Sequence, residues 1–204
     1  MTPQVRKTAA VLLAGALCAL PAVWPDAASA AKLEALKIGA AMPDFKLTDT
    51  TGKEHSLEQY KGQIVVFNFC TQECPFSRGA DPDINALATA YAEKGVVFLG
   101  VDSNKNLKPE DIQAYIDEAK VPYPILKDVG NTLADAVGAR VTPAIYVMGK
   151  DGTLVYHGAP DNRTGPESEP TEHYLKAALD ALIAGEPIAK TEVKAWGCGI
   201  KRAS

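Results

Sequence analysis

An apolar run that ends in two cysteines constrains the fold more than any other part of the sequence. Residues 64–69, IVVFNF, are rich in β-branched and aromatic side chains, which predicts a strand buried on both faces of a parallel or mixed sheet. Cys70 and Cys74 follow this run, and Pro75 is a residue that suits the first position of a helix. The sequence therefore predicts Cys74 at the point where a buried strand gives way to a helix.

The rest of the chain predicts an alternation of strands and helices. Before the apolar run, a turn at Thr51-Gly52 separates two short strand candidates, which indicates a β-hairpin. Helical spacing, apolar runs and turn signals predict, in order, a helix around 84–91, a strand at 96–101, a helix from Pro109, a short helix at 131–137, a hairpin of 144–148 with 153–157, and a helix at 171–184. This order predicts an α/β domain with a central mixed β-sheet flanked by helices and an N-terminal β-hairpin extension.

The N-terminus has the pattern of a cleaved secretory signal peptide. Arg6 and Lys7 precede an apolar run over residues 9–24, and Ala28-Ser29-Ala30 gives a small-residue cleavage site. The run is too short to span a membrane comfortably, and Pro21 interrupts it. We therefore predict a signal peptide at residues 1–30, a folded domain at 31–185, a tail at 186–204, and a periplasmic or secreted protein with no stable membrane insertion after cleavage.

Charge and cysteine content narrow the classes of function. The 204-residue sequence has a net charge of −4 and no basic cluster, so nucleic acid is a poor candidate partner. One of the four cysteines falls in the predicted signal peptide, which leaves Cys70, Cys74 and Cys198. An odd number of thiols in an oxidising compartment predicts that at least one of them pairs with a partner or is chemically active.

The quoted patterns resemble the thioredoxin superfamily, specifically its redoxin branch of peroxiredoxin-like and extracytoplasmic thiol-disulfide proteins. The resemblance rests on IGAAMPDFKLTDTTGKEHSLEQYKGQIVVFNF, TQECPFSRGADPDINAL, VTPAIYV and DGTLVYHGAPD, and it covers nearly the whole predicted mature chain. A late Gly-Cys-x-Ile, at residues 197–200, is similar to a peroxiredoxin-like subgroup. The resemblance implies a thioredoxin-like fold and an oxidoreductase that acts on protein disulfides or peroxides and is recycled by a thiol reductant.

Two departures from the patterns of this superfamily affect the site. The C-x-x-C motif of thioredoxins would place a cysteine at position 77, which is Ser77. The P-x-x-x-T-x-x-C motif of peroxiredoxins is half met, because Thr71 lies three residues before Cys74 but Phe67 stands where the proline belongs. Neither the dithiol loop nor the peroxide site of the superfamily is therefore present in full.

Cys74 is the predicted nucleophile. A cysteine at a helix N-terminus faces unpaired N–H groups and the positive end of the helix dipole, which stabilise a thiolate. Cys70 ends the buried strand and is either a redox partner of Cys74 or an apolar filler, while Cys198 in the tail is either the resolving thiol or unpaired. Because Cys70 is nearer along the chain, we expect a Cys70–Cys74 bond as the main oxidised form, with Cys198 as the minor or partner-facing thiol.

Four further residues are candidates for roles around the thiolate. Thr71 either donates to the thiolate or a peroxide or caps a turn, and Ser77 either bonds to Cys74 or serves the first helical turn. In the superfamily a cis proline brings the preceding backbone beside the nucleophile, which implies that Thr142 and Pro143 pair with a bound peptide.

The sequence does not predict a zinc site or an organic cofactor. One C-x-x-x-C without a second pair supplies too few zinc ligands. The non-enzymatic alternative is a thioredoxin-fold Cu(I) carrier that uses Cys70, Cys74 and a distant histidine such as His157, because two or three soft ligands suffice for Cu(I).

Overall fold

A computed structural model describes Met1 and residues 34–202 of the chain. Residues 34–202 belong to one compact unit. The predicted signal peptide lies outside the described residues, apart from Met1. Within the described part of the chain, no helix combines the length and the apolar character that crossing a membrane requires.

Nine strands and four α-helices build the described unit. In chain order they are β1 Lys46–Asp49, β2 Glu54–Ser56, β3 Ile64–Phe69, α1 Pro75–Ala92, β4 Val96–Asp102, α2 Pro109–Ala119, β5 Ile125–Lys127, α3 Thr132–Val137, β6 Val141–Thr142, β7 Ala144–Met148, β8 Leu154–Gly158, α4 Tyr174–Ala184 and β9 Cys198–Gly199. Two short 3-10 helices, Leu57–Tyr60 and Val129–Asn131, complete the set.

The main sheet is mixed and has β3 near its centre. Seven strands lie in the order β2-β1-β5-β4-β3-β7-β8, and β6 and β9 form a separate two-stranded sheet. β3 pairs in parallel with β4 and antiparallel with β7, so its backbone is bonded on both sides. The predicted α/β class, mixed sheet and N-terminal hairpin are confirmed.

Side-chain alternation along β3 divides the core into two layers. Ile64 and Val66 pack under α1, α2 and α4, whereas Val65, Phe67 and Phe69 pack on the opposite face with α3. Successive side chains of a strand point to opposite faces of the sheet, so a strand that is apolar throughout serves both layers. This alternation also determines the face of the sheet toward which the side chains directly after β3 point.

The structure differs from the sequence-based prediction at several short elements. β5, with three residues, and β6, with two, are not predicted. The last helix is predicted from residue 171 but begins at Tyr174, because the Leu175 N–H donates to the Pro160 carbonyl at 3.0 Å and not to the Thr171 carbonyl. The tail, for which no element was predicted, contributes β9.

A buried acid in the N-terminal hairpin holds the first two strands together. Asp49 accepts hydrogen bonds from the backbone of Thr51 and Lys53, and its Oδ2 lies 2.9 Å from Nε2 of His55. The other ring nitrogen of His55 lies 2.5 Å from the Tyr60 hydroxyl. Burial raises the pKa of Asp49, but the hydrogen bonds, led by that of His55, outweigh burial and lower it from 3.8 to about 2.

Replacing Asp49 is expected to destabilise the fold in a pH-dependent way. A carboxylate whose pKa is lower in the folded state contributes stability above its unfolded value, and this contribution is lost as the pH falls from about 4 toward 2. Asp49→Asn should therefore cost about 2 kcal/mol at neutral pH, since hydrogen bonds to a charged group are removed. Urea unfolding at neutral pH and at pH 3 measures the effect, and the difference from the wild type should shrink at the lower pH.

Glu54→Gln provides the control for this experiment. Glu54 lies in the same hairpin, but its ion pair with Lys46 is solvent-exposed, and such pairs contribute little. Equal destabilisation by the two substitutions would contradict the role assigned to Asp49.

Candidate functional site: a cysteine pair at a helix N-terminus

Cys74 is the N-cap residue of α1, as predicted from the strand-to-helix junction. Its backbone is extended, and its sulfur accepts a hydrogen bond from the backbone N–H of Ser77 at 3.4 Å. Pro75 occupies the first turn of the helix, where a missing N–H costs nothing. The Cys74 N–H donates to the Thr71 carbonyl at 3.2 Å, which closes the turn between β3 and α1. The side chain of Cys74 is 0% exposed.

The tail brings Cys198 against Cys74. β9 pairs antiparallel with β6, and Thr142 stands opposite Cys198 in the register. The two sulfurs are 2.6 Å apart, closer than non-bonded sulfur atoms pack, so the two side chains are placed to form a disulfide without movement of the backbone. Cys198 is partly exposed, whereas Cys74 is buried. Residues separated by 124 positions therefore form a thiol pair at the start of α1.

The two thiols differ in acidity. Burial raises the pKa of Cys74, but hydrogen bonds from the Cys198 side chain, the Ser77 N–H and the Thr142 side chain outweigh it, so the net pKa lies below its ordinary value. Burial raises the pKa of Cys198 to about 11, helped by its hydrogen bond to Cys74 and the Cys74 charge. When the pair loses one proton, the thiolate is Cys74 and the remaining proton stays on Cys198.

Removing the Cys198 donor is expected to raise the pKa of Cys74. In Cys198→Ala the thiolate loses the hydrogen bond that lowers its pKa most, while Cys198→Ser keeps a hydroxyl donor at the same place. The pH midpoint of thiolate formation, followed by ultraviolet absorbance, should be higher in Cys198→Ala than in Cys198→Ser. An identical midpoint in the two variants would show that the Cys198 side chain does not tune Cys74.

Cys70 does not join this pair in the structure. Its side chain packs in the core layer under α1, among residues that include Ile84, Tyr115 and Tyr123. Burial, together with the charges of Asp81 and Asp102, raises the pKa of Cys70 well above its ordinary value. The expectation of a Cys70–Cys74 bond is therefore not favoured by the geometry, because Cys70 continues the alternation of Ile64 and Val66 into the core.

The hydroxyl groups of Thr71 and Ser77 make hydrogen bonds around the turn between β3 and α1 rather than to the Cys74 sulfur. The Thr71 hydroxyl accepts from the Glu73 N–H at 3.4 Å and from the Asn104 side-chain amide at 3.3 Å. The Ser77 hydroxyl accepts from the Thr71 N–H at 3.4 Å. Ser77 therefore reaches Cys74 through its backbone N–H, and the contacts of Thr71 match the turn-capping alternative.

The peptide bond between Thr142 and Pro143 is cis, as predicted. The Thr142 carbonyl lies 3.0 Å from the Cys74 sulfur and accepts a hydrogen bond from the neutral thiol. Thr142 is also the residue that pairs with Cys198. The predicted substrate-binding residues thus lie beside the nucleophile, where the chain's own tail is paired to them.

Sequence reasoning missed the polar residues that fasten the tail. The Asn104 amide donates to Glu73 at 2.8 Å, and its oxygen accepts from the Lys201 N–H at 2.8 Å. The Lys201 ammonium lies 2.9 Å from Glu73. Arg202 pairs with Asp135 at 3.0 Å. No motif in the sequence connects these residues, because the contacts depend on the path of the tail.

The described residues do not assemble a metal site. Among them, no group of three or more His, Cys, Asp and Glu side chains is placed to hold an ion. His157, the predicted copper ligand, lies 3.1 Å from Glu192 and stacks on Tyr146. Its contacts therefore give the Cu(I) alternative no support.

Comparisons with known proteins agree with the fold. Residues 38–157 match the AhpC/TSA family. A thiol-disulfide oxidoreductase ResA of Bacillus thuringiensis subsp. konkukian is 27% identical over 145 residues, which is 71% of this chain and 80% of the relative. A ResA of Geobacillus thermodenitrificans is 29% identical over 120 residues, 59% of this chain and 68% of the relative.

Two solved structures share the fold over most of their length. A hypothetical protein of Sinorhizobium meliloti superposes with a TM-score of 0.77 at 28% identity and covers 84% of this chain and 97% of its own. An uncharacterized conserved protein of Geobacillus kaustophilus gives 0.77 at 30% identity, with 82% and 93% covered.

The fold and the acidic helix-capping cysteine define a thiol redox protein, an oxidoreductase of the thioredoxin superfamily in its redoxin branch. Within that class, the chain belongs to the AhpC/TSA family, whose match spans more than half of its residues. The predicted superfamily, fold and enzyme class are confirmed.

Proposed function

We propose that the protein is an extracytoplasmic thiol-disulfide oxidoreductase in which Cys74 attacks a disulfide and Cys198 resolves the intermediate. The observation that carries the proposal is the 2.6 Å approach of the Cys198 sulfur to a helix-capping Cys74. The relatives named thiol-disulfide oxidoreductase ResA support the choice of a disulfide as the substrate.

The reaction proceeds by two exchanges at the Cys74 sulfur. The Cys74 thiolate attacks one sulfur of the substrate disulfide, forms a mixed disulfide, and releases the other substrate sulfur as a thiolate. Cys198 then loses its proton and attacks the Cys74 sulfur, which releases the second substrate thiolate and forms a Cys74–Cys198 disulfide. Two electrons pass from the cysteine pair to the substrate.

Reduction of that disulfide is expected to begin at Cys198. Cys198 is partly exposed and Cys74 is buried, so an external thiolate reaches the Cys198 sulfur first. Cys74 is the better leaving group, because its pKa is lowered and that of Cys198 is raised. The thiol reductant partner therefore forms its mixed disulfide with Cys198 and releases the Cys74 thiolate.

A peroxide is the alternative electrophile for the same nucleophile. Attack by Cys74 would give a sulfenic acid, and condensation with Cys198 would give the same disulfide and water. The family match is consistent with either substrate class. The disulfide is favoured because the Thr71 hydroxyl is engaged away from the nucleophile: it accepts from the Glu73 N–H and the Asn104 amide, and it hydrogen-bonds to the Asp102 carboxylate.

The proposed compartment rests on the N-terminal pattern. Basic residues, an apolar run and Ala28-Ser29-Ala30 support export and cleavage before Ala31. Mass measurement of the protein purified from its native compartment tests this, and a mass that includes residues 1–30 would contradict cleavage.

Mapping of the oxidised protein tests the assignment of the resolving cysteine. After oxidation with a diazene dicarboxamide and digestion, the peptides that carry Cys74 and Cys198 are expected to be disulfide-linked, and Cys70 is expected to be unmodified. Cys70→Ala should give the same pair and should keep its activity in reducing insulin disulfides. A Cys70–Cys74 link, or loss of activity in folded Cys70→Ala, would overturn the assignment.

A further inference from the structure

An indole side chain fastens the tail two residues before Cys198. The ring of Trp196 lies 5.6 Å from the ring of Phe76, which belongs to the first turn of α1, and its N–H donates to the Asp161 carbonyl at 2.9 Å. The Arg163 guanidinium lies 5.7 Å from the indole, within the range of a cation–π interaction. The indole therefore bridges α1 and the loop that follows β8.

Arg163 is itself fixed against α1. Its side chain is 2% exposed, and its guanidinium bonds to the Asp161 carboxylate at 2.7 Å and to the Asp83 carboxylate at 2.6 Å. It also donates to the Gly79 carbonyl in the same helix as Asp83. A buried guanidinium whose donors are paired on several sides has one position. The loop thus offers the indole a platform that is held in place relative to α1.

Phe76 connects this indole with the sulfur of the proposed resolving cysteine. Its ring packs on Trp196, and its backbone N–H donates to the Cys198 sulfur. Phe76 also lies only two residues after Cys74 in the chain. The indole and the Cys198 sulfur are therefore both aligned with the helical turn that carries the nucleophile.

The ion pairs on the other side of Cys198 are more exposed. Lys201 and Arg202 each pair with an acidic side chain, and both pairs are at least partly accessible to solvent, where such pairs contribute little. Cys74 is 0% exposed, and the Cys198 sulfur lies on it. A substrate disulfide therefore reaches Cys74 only after Cys198 has moved aside, and the end of the tail is the part that opens with the smaller loss of contacts.

We propose that Trp196 is a positioning residue for the resolving step. Its indole stays on Phe76 and Arg163 while the chain beyond it opens to admit the substrate. Once the mixed disulfide has formed, this anchor returns the Cys198 sulfur to Cys74. The inference rests on the proposed function, and it names the side chain that determines how fast the intermediate is resolved.

The length of free chain sets the size of the expected effect. Before Trp196, the tail is held to β8 by the Val193 N–H, which donates to the His157 carbonyl at 3.0 Å. An extended chain spans about 3.4 Å per residue, so Cys198 reaches about 7 Å from Trp196 but about 17 Å from Val193. The volume open to the sulfur grows with the cube of this reach. Loss of the anchor therefore lowers the effective concentration of Cys198 at Cys74 by about tenfold.

The small symmetrical disulfide of nitrothiobenzoate measures attack and resolution in one experiment. In the reduced full-length protein, the Cys74 thiolate attacks the reagent, forms a mixed disulfide and releases one coloured nitrothiobenzoate thiolate. Cys198 then loses its proton and attacks the Cys74 sulfur, which closes the Cys74–Cys198 disulfide and releases the second nitrothiobenzoate. The rate of the first phase rises with the concentration of the reagent. The rate of the second does not, because that step occurs within one chain.

Trp196→Ala should slow the second phase by about tenfold and change the first phase little, because Cys74 keeps its place at the N-terminus of α1. Trp196→Phe keeps an aromatic ring but loses the N–H that bonds to Asp161, so its second phase should lie between those of the wild type and Trp196→Ala. Lys194→Ala is the matched control, because Lys194 is an exposed residue of the same tail, and both of its phases should equal those of the wild type. Circular dichroism establishes that each variant is folded.

The outcomes separate this inference from the proposed function. A wild-type second phase in folded Trp196→Ala, equal slowing of both phases, or the same slowing in Lys194→Ala would refute the anchor while the roles of the two cysteines stand. Where Trp196→Ala does not fold, Trp196→Phe decides, and an unchanged second phase in that variant refutes the anchor. If the wild-type protein itself shows no second phase, the proposed function fails.

Discussion

Cys74→Ser is expected to abolish the reduction of protein disulfides, while Cys70→Ala leaves it largely unchanged. A serine hydroxyl is hardly ionised near neutral pH, so the variant lacks the nucleophile, and the rate should fall on the order of a thousandfold or more. Cys70→Ala removes only a sulfur from the core, at a cost of about 1 kcal/mol in stability. The measurement is insulin reduction with a regenerating thiol.

Cys198→Ser separates attack from resolution in the same assay. Cys74 keeps its position at the N-terminus of α1 and its bond from the Ser77 N–H, so it still attacks the substrate. Without the Cys198 thiol the mixed disulfide persists, and it should appear as a covalent adduct that a reductant releases. Cys74→Ser provides the converse test. If this variant forms an adduct on Cys198 equally fast with the substrate, Cys198 is the attacking cysteine and Cys74 the resolving one.

The position of the nucleophile follows from local sequence signals. The apolar run of β3 and the Cys-Pro pair at the start of α1 involve neighbouring residues, and they predict a helix-capping cysteine without reference to the rest of the chain. The mixed sheet and the hairpin of β7 and β8 follow from similarly local patterns. β5, with three residues, is too short to show a periodicity.

The partner of the nucleophile depends on long-range contacts that sequence distance does not reveal. Cys70 is only four residues from Cys74, and this proximity suggested a bond between them. Side-chain alternation through Ile64, Val66 and Asn68 directs Cys70 into the layer under α1, which was a signal present in the sequence. The docking of Cys198 had no comparable signal, because β9 has two residues and pairs with a strand that ends 56 positions earlier in the chain.

Gly197→Ala in the otherwise unchanged protein is expected to slow closure of the Cys74–Cys198 disulfide. The added methyl group collides with the Thr142 carbonyl, which moves β9 off β6 and withdraws the Cys198 sulfur from Cys74. An intramolecular reaction that depends on such an approach slows by up to about a hundredfold when the reacting groups shift by about 1 Å. The rate of disulfide closure is measured by oxidising the reduced protein and alkylating the remaining free thiols at successive times.

Gly199→Ala is the matched control, because it lies one residue beyond Cys198 in the same strand and its added methyl group meets no atom within 4 Å. Its rate of closure should equal that of the wild type. The two glycine variants also show whether the paired tail shields Cys74. Iodoacetamide should alkylate Cys74 faster in reduced Gly197→Ala than in the wild type, whereas the rate in Gly199→Ala should equal that of the wild type. Equal closure rates in the two glycine variants would mean that the tail reaches Cys74 without pairing to β6, and the role of this edge in catalysis would have to be abandoned.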